Sequence, residues 1–124
     1  MFLPVSEAPQ SIVSSDTTPA YPWGTGCLGW HLVQATDLSV IEEEMPPGTE
    51  EVRHRHLRSR QFFYVLHGSL TIECDGVRHQ VGSHSGMEVA PMTAHQVRNE
   101  SDGDIQFLVI SQPPAHGDRE VMEQ

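Results

Sequence analysis

The sequence has no lysine, and its seven arginines stand against seventeen aspartates and glutamates, for a formal net charge of −10 over 124 residues. Such a chain is unsuited to nucleic acid or to an anionic membrane surface, because both need an excess of cationic side chains. Long apolar runs are missing too, and none approaches the ~20 residues of a membrane-spanning helix. The opening Met-Phe-Leu-Pro lacks the charged region and apolar stretch of a secretory leader. These absences lead us to expect a soluble, cytoplasmic protein whose partner is a small molecule, not a nucleic acid or a membrane. Cysteine is scarce. Cys27 and Cys74 are too few and too far apart for a disulfide framework or a thiolate metal site, so both are expected as free thiols.

No stretch shows an apolar period of 3.6 over ten residues, which excludes an amphipathic helix of ordinary length. What the chain has instead is a series of short β-branched or aromatic runs. They span 28–33, 38–45, 51–56, 62–67, 70–74, 77–81, 87–90, 95–99 and 105–110. Strands of that length, punctuated by Gly, Pro and Asp, indicate an all-β sandwich or barrel. Asp75-Gly76 and Asp102-Gly103 are both suited to tight hairpins. The organisation expected is an extended, Pro-rich arm over 1–22, one barrel over 23–112 and a polar tail over 113–124.

Eight histidines are many for this length, and two of them, His54 and His56, stand two residues apart. On a strand, positions i and i+2 share a face at a separation of about 7 Å, so their imidazoles can converge on one ion. Gln61 follows a four-residue connection, short enough for a hairpin, and opens the next strand. His95 comes later, just after the turn at Pro91.

In these residues the chain resembles the cupins, in particular the small single-domain conserved-barrel (cupin type 2) proteins. Their first motif maps onto Gly48, His54, His56, Gln61 and Gly68 with each spacing kept. Their second maps more loosely onto Gly86, Pro91, His95 and Asn99, with the inner glycine replaced near Thr93. The resemblance implies a double-stranded β-helix (jelly-roll) barrel of two antiparallel sheets. Inside it, His54, His56 and His95 would hold one divalent transition metal, with Gln61 in the place of the usual carboxylate. Three imidazoles favour zinc, nickel, iron, manganese or copper over magnesium or calcium.

The amide has a chemical consequence. Neutral ligands leave the ion its full charge, which suits it to act as a Lewis acid and gives little support to a higher oxidation state. The first reading is therefore an enzyme of isomerase, cyclase or lyase type acting on an oxygenated or acidic substrate. Some small cupins with glutamine at this position open unsaturated uronate rings, and this chain is similar to them at the ligand positions. An iron-dependent dioxygenase and a non-catalytic small-molecule sensor are the alternatives. No inward-facing Asp, Glu or Lys stands out as a base, and Glu42-Glu43-Glu44 reads as a solvated edge.

Four arginines crowd into eight residues. Strand alternation turns Arg53 and Arg55 away from the histidines, toward solvent or toward Glu42–Glu44, Glu50 or Glu51. Arg58 and Arg60 fall at the expected barrel mouth, where they could grip an anionic substrate. Phe63 and Val65 share strand parity with Gln61 and are expected to line the pocket with it. His31, His67, His79, His84 and His116 are read as surface or structural histidines. A homodimer is expected, since small cupins commonly pair and the arm has nothing local to pack against.

Overall fold

A computed structural model describes residues 11–123, and the first ten residues of the expected arm lie outside them. Among the described residues there is no helix. The strands are β1 (Tyr21–Gly24), β2 (Cys27–Gln34), β3 (Ser39–Met45), β4 (His54–Arg55), β5 (Arg60–His67), β6 (Leu70–Cys74), β7 (Val77–Val81), β8 (Gly86–Val89), β9 (His95–Arg98), β10 (Ile105–Gln112) and β11 (Glu120–Val121). Two antiparallel sheets result, one in the order β1-β2-β3-β10-β5-β8 and the other β11-β4-β9-β6-β7. The expected two-sheet all-β barrel is thus observed.

Strand alternation builds the interior. Along β5 the buried positions are Gln61, Phe63 and Val65, while Phe62 and Tyr64 stack on the outer side. Along β10 they are Ile105, Phe107, Val109 and Ser111. The β3–β10–β5 register lays these side chains in rows across the sheet, among them Ile41, Val109 and Phe63, and next to it Ser39, Ser111 and Gln61. Phe63, Val65, Val89, Phe107 and Val109 join Met45, Leu70, Ile72, Val97 and Ile105 in one apolar core. Both cysteines are free.

The motif glycine Gly68 turns the chain from β5 to β6 at φ +95°, and a Cβ there would stand 2.9 Å from the Asp104 carbonyl oxygen, so no other residue fits. In the second motif the left-handed residue is Met92, at φ +67°, rather than a residue at the expected Thr93. The Met92 amide donates to the His56 carbonyl at 2.7 Å, which ties the two motifs together.

Several connections differ from expectation. Asp75-Gly76 does close the β6–β7 hairpin, both residues at positive φ. Asp102-Gly103 does not make a hairpin, because β9 and β10 lie in different sheets; Asn99 and Ser101 side chains hold that loop instead. Residues 57–59 likewise cross between sheets, since β4 and β5 belong to different ones. Residues of the expected arm and of the expected tail take part in the sheets. Tyr21 and Pro22 pair with β2, and β11 pairs with β4.

Candidate metal centre

His54 and His95 face each other directly across the β4–β9 pair, and His56 follows His54 on the same face. The three side chains are buried, and their ligand nitrogens lie within 4.8 Å of one another. Each ring is oriented through its inner nitrogen. The Nδ1 atoms of His54, His56 and His95 donate to the carbonyls of Val52, Asp118 and Thr93 at 2.7, 2.7 and 2.9 Å. With the proton fixed on Nδ1, each Nε2 keeps its lone pair, the form in which imidazole binds a metal. Burial also favours the neutral form of two of the rings. It lowers His95 below the ordinary imidazole range and takes His54 down to about 3, against the opposing pull of the Val52 carbonyl.

Gln61 enters from the other sheet. Its Nε2 donates at 3.0 Å to the Ser111 hydroxyl, its cross-strand neighbour on β10, and this leaves Oε1 as the free end. Among the described residues, Gln61 Oε1 and His95 Nε2 are both buried without a hydrogen-bond partner. A buried polar atom left unpaired costs about 1–3 kcal/mol. Two of them, both electron-pair donors, in residues grouped with a histidine cluster, fit a cation. Glutamine and three histidines are thus chemically suited to a transition ion, and these residues could hold one.

His56 depends on the far end of the chain. The Asp118 carboxylate accepts from the backbone amides of Leu57, Arg58 and Ser59 at 2.9, 2.9 and 2.8 Å, while its carbonyl takes the His56 Nδ1 proton. Desolvation alone would raise this carboxyl. The three amide donors outweigh it and hold Asp118 below the usual carboxylate range. Asp118 therefore clamps the loop after the first histidine pair.

The arginines behave differently from expectation. Arg53 and Arg55 do point away from the histidines, but they pair with Glu73 at 2.8 Å and Glu120 at 2.5 Å instead of with the 42–51 carboxylates. Arg60 lies on the outer face, 3.7 Å from Glu88 and bonded to Gln112; Arg58 is exposed, and neither lines the cavity. The cause is the sheet crossing at 57–59, which starts β5 with Arg60 outward and Gln61 inward. Phe63 lines the cavity as expected, whereas Val65 is fully buried in the core beyond it.

A cavity of about 580 Å³ opens over the site, and sequence reasoning missed much of its wall: Tyr21, His31, Glu43, Glu51 and Arg119. His31 is not a surface or satisfied residue. It stacks on Tyr21 with centroids 4.7 Å apart, and its Nδ1 is buried without a partner. Glu43 does not belong to a solvated run either. It shares inward parity with Ile41 and Met45, a signal present in the alternation of β3 but obscured by glutamates on both sides.

Desolvation, with Glu51 nearby, pushes the Glu43 carboxyl well above its ordinary range. Glu43 is half-buried and lines the cavity. Desolvation likewise raises Glu51 to about 7 despite Arg119. A carboxyl whose folded pKa exceeds its unfolded one binds more protons when folded, so its contribution to stability falls as pH rises between the two values. For Glu51 that window runs from 4.5 to about 7. In chelator-treated protein, Glu51→Gln is expected to raise Tm relative to wild type at about pH 8 and to leave it nearly unchanged at about pH 4. Equal Tm differences at both pH values would contradict the assignment.

The family model described as the cupin domain, Cupin_2, matches residues 41–111. An uncharacterized protein of Methanocaldococcus jannaschii is 28% identical over 94 residues, covering 75% of each chain. In fold the chain is similar to a sugar phosphate isomerase of the cupin superfamily from Silicibacter pomeroyi, at 20% identity and TM-score 0.74, over 84% of this chain and 76% of that one. It is also similar to the polyketide cyclase RemF from Streptomyces resistomycificus, at 19% identity and TM-score 0.77, over 93% and 87% of the two chains.

Proposed function

This chain belongs to the cupin family, and from that premise we propose that it is a metal-dependent enzyme catalysing a non-redox isomerisation, cyclisation or elimination on an oxygenated small molecule. His54, His56 and His95 would hold a divalent transition metal, with Gln61 Oε1 as the fourth donor. The observation that carries this reading is the pair of buried, unpartnered donor atoms, His95 Nε2 and Gln61 Oε1, whose sister atoms are already anchored. When bound, the ion supplies Lewis acidity toward a carbonyl oxygen, undiminished by any anionic ligand.

The surrounding residues determine what can use that acidity. Phe63, Ile41 and Val109 give the cavity an apolar wall that excludes water beside the donor atoms. Arg58 and Arg60 lie outside the cavity, so an anion grip by these arginines gains no support from the geometry. The fold likeness to an isomerase and to a cyclase is consistent with this class of reaction.

Elemental analysis of the protein as purified, beside His54→Ala and Gln61→Ala, tests the reading. Wild type is expected to carry close to one transition-metal equivalent, His54→Ala almost none, and Gln61→Ala an intermediate amount. A wild-type protein that refuses zinc, nickel and iron at micromolar concentration would sink it. Redox-active iron with oxygen consumption on a substrate would replace it with the dioxygenase alternative.

A further inference from the structure

Five of the seven arginines are held by carboxylates: Arg53 by Glu73, Arg55 by Glu120, Arg60 by Glu88, Arg78 by Glu100 and Arg98 by Glu50. Among the described residues, Arg58 and Arg119 make no ion pair, and of these two only Arg119 lines the cavity. A guanidinium keeps its charge at any physiological pH and carries donors only. Left unpaired in the wall of a ligand cavity, it is a binding group for an anion.

The β4–β11 register explains where this side chain goes. Val121 pairs with His54 and Glu120 with Arg55, and the Met122 amide donates to the Arg53 carbonyl at 2.9 Å. Glu120 and Arg55 meet on the face turned away from the histidines. Continued by one residue, the same register sets Arg119 opposite His56, and such neighbours share a face with Cα atoms about 5 Å apart. The residue before it is fixed, because the Asp118 carbonyl accepts from His56 Nδ1 at 2.7 Å. The charge of Arg119 is felt at the histidines. After burial, which dominates each shift, it is among the charges that lower His54 and His95, and it opposes the rise at Glu51. Neither cavity carboxyl neutralises it. Burial favours the protonated form of Glu43, and Glu51 has its contact with His54 Nδ1, at 3.8 Å.

We propose that Arg119 selects the substrate: its guanidinium binds a carboxylate, and the substrate is a small carboxylic acid with a carbonyl or hydroxyl oxygen within a few bonds of that group. This rests on the Lewis-acid reading above, which puts that oxygen at the histidines. The short step from His56 to Arg119 places both oxygenated groups at one end of the molecule. The rest of its skeleton lies on the apolar wall of Ile41, Val109 and Phe63. A planar fork of donors matches a carboxylate through two parallel hydrogen bonds, which fixes the orientation of the acid as well as its charge. The grip that the sequence suggested for Arg58 and Arg60 is thus supplied by a residue from the far end of the chain.

Two measurements test it. In the first, calorimetry follows lactate and its uncharged counterpart lactamide binding to zinc-loaded wild type, Arg119→Gln, Arg119→Lys and Arg58→Gln, after a zinc titration of each. Arg119→Gln is expected to weaken lactate binding at least ~10-fold and lactamide binding much less, the loss of a charge-assisted hydrogen-bonded pair. Arg119→Lys is expected to recover part of the loss, and Arg58→Gln to match wild type with both ligands. Equal zinc affinity in all four shows that the Asp118 clamp is intact. Lactate held no tighter by wild type than by Arg119→Gln, or lactamide weakened as much as lactate, overturns the assignment. The second measurement needs no metal: phenylglyoxal labelling of the arginines, mapped peptide by peptide. Lactate is expected to slow labelling of Arg119 and not of Arg58, and lactamide to protect neither. Equal protection of both arginines by lactate, or of neither, overturns the anion site. Protection of Arg119 alone in a protein that binds no zinc sinks the metal reading instead and leaves the anion site established.

Discussion

Replacing His95 by alanine is expected to lower zinc affinity by about two orders of magnitude or more. A four-ligand zinc site binds with about 10–16 kcal/mol, so one ligand of four carries ~3 kcal/mol. The fold should survive. In the metal-free protein His95 Nε2 is buried without a partner, and removing the ring relieves that cost while it loses packing against Phe63, 6.1 Å away between centroids. The two effects oppose each other, so the metal-free Tm is expected to move little, while the rise in Tm on adding zinc disappears. Calorimetric zinc titration and thermal melts with and without chelator read both quantities. Unchanged zinc affinity in a folded His95→Ala protein would remove the metal centre altogether.

Asp118→Ala is expected to weaken metal binding 10- to 100-fold and to destabilise the fold by about 2–4 kcal/mol, although the residue touches no ligand atom that would meet the metal. The carboxylate caps three consecutive amides, and truncation leaves those donors without their partner. The loop they belong to then loses the position that brings the Asp118 carbonyl to His56 Nδ1. Asp118→Asn should fall between wild type and alanine, because its amide nitrogen cannot accept from Arg58 and Ser59. Urea unfolding and zinc titration of the two variants give the order. A zinc affinity for Asp118→Ala equal to wild type would show that His56 keeps its orientation without the clamp. The carboxyl's low pKa adds a pH dependence: its stabilisation is present above 3.8 and is lost as pH falls through the lower folded value.

The parts of the site that were legible in sequence share one property: they depend on local geometry. His54 and His56 could be placed on one face because strand alternation is set within three residues, and Phe63 could be placed beside Gln61 for the same reason. The strands at 70–74 and 77–81 were readable because Asp75-Gly76 favours one turn. Even Glu43 was readable in principle, since parity with Ile41 and Met45 separates it from Glu42 and Glu44.

Arg58 and Arg60 mark the limit of that reasoning. Whether the four residues after His56 turn back as a hairpin or cross to the other sheet depends on pairing with strands far away in the chain, which no local pattern encodes. The 113–124 segment shows the same limit. Its polar composition describes a surface stretch, yet Asp118 finds three amides some sixty residues earlier and makes the segment part of the site.

Residue identity and alternation therefore determined that this is an all-β cupin with a histidine cluster facing inward. Tertiary structure alone decided that Gln61, from the opposite sheet, lines the same cavity as His54 and His56, that Glu43, Glu51 and Tyr21 share that cavity, and that Arg58 and Arg60 do not. The difference is physical. Side-chain direction follows from the backbone of a few adjacent residues, whereas which walls enclose a cavity is set by the burial free energy of the whole core, summed over contacts distant in sequence.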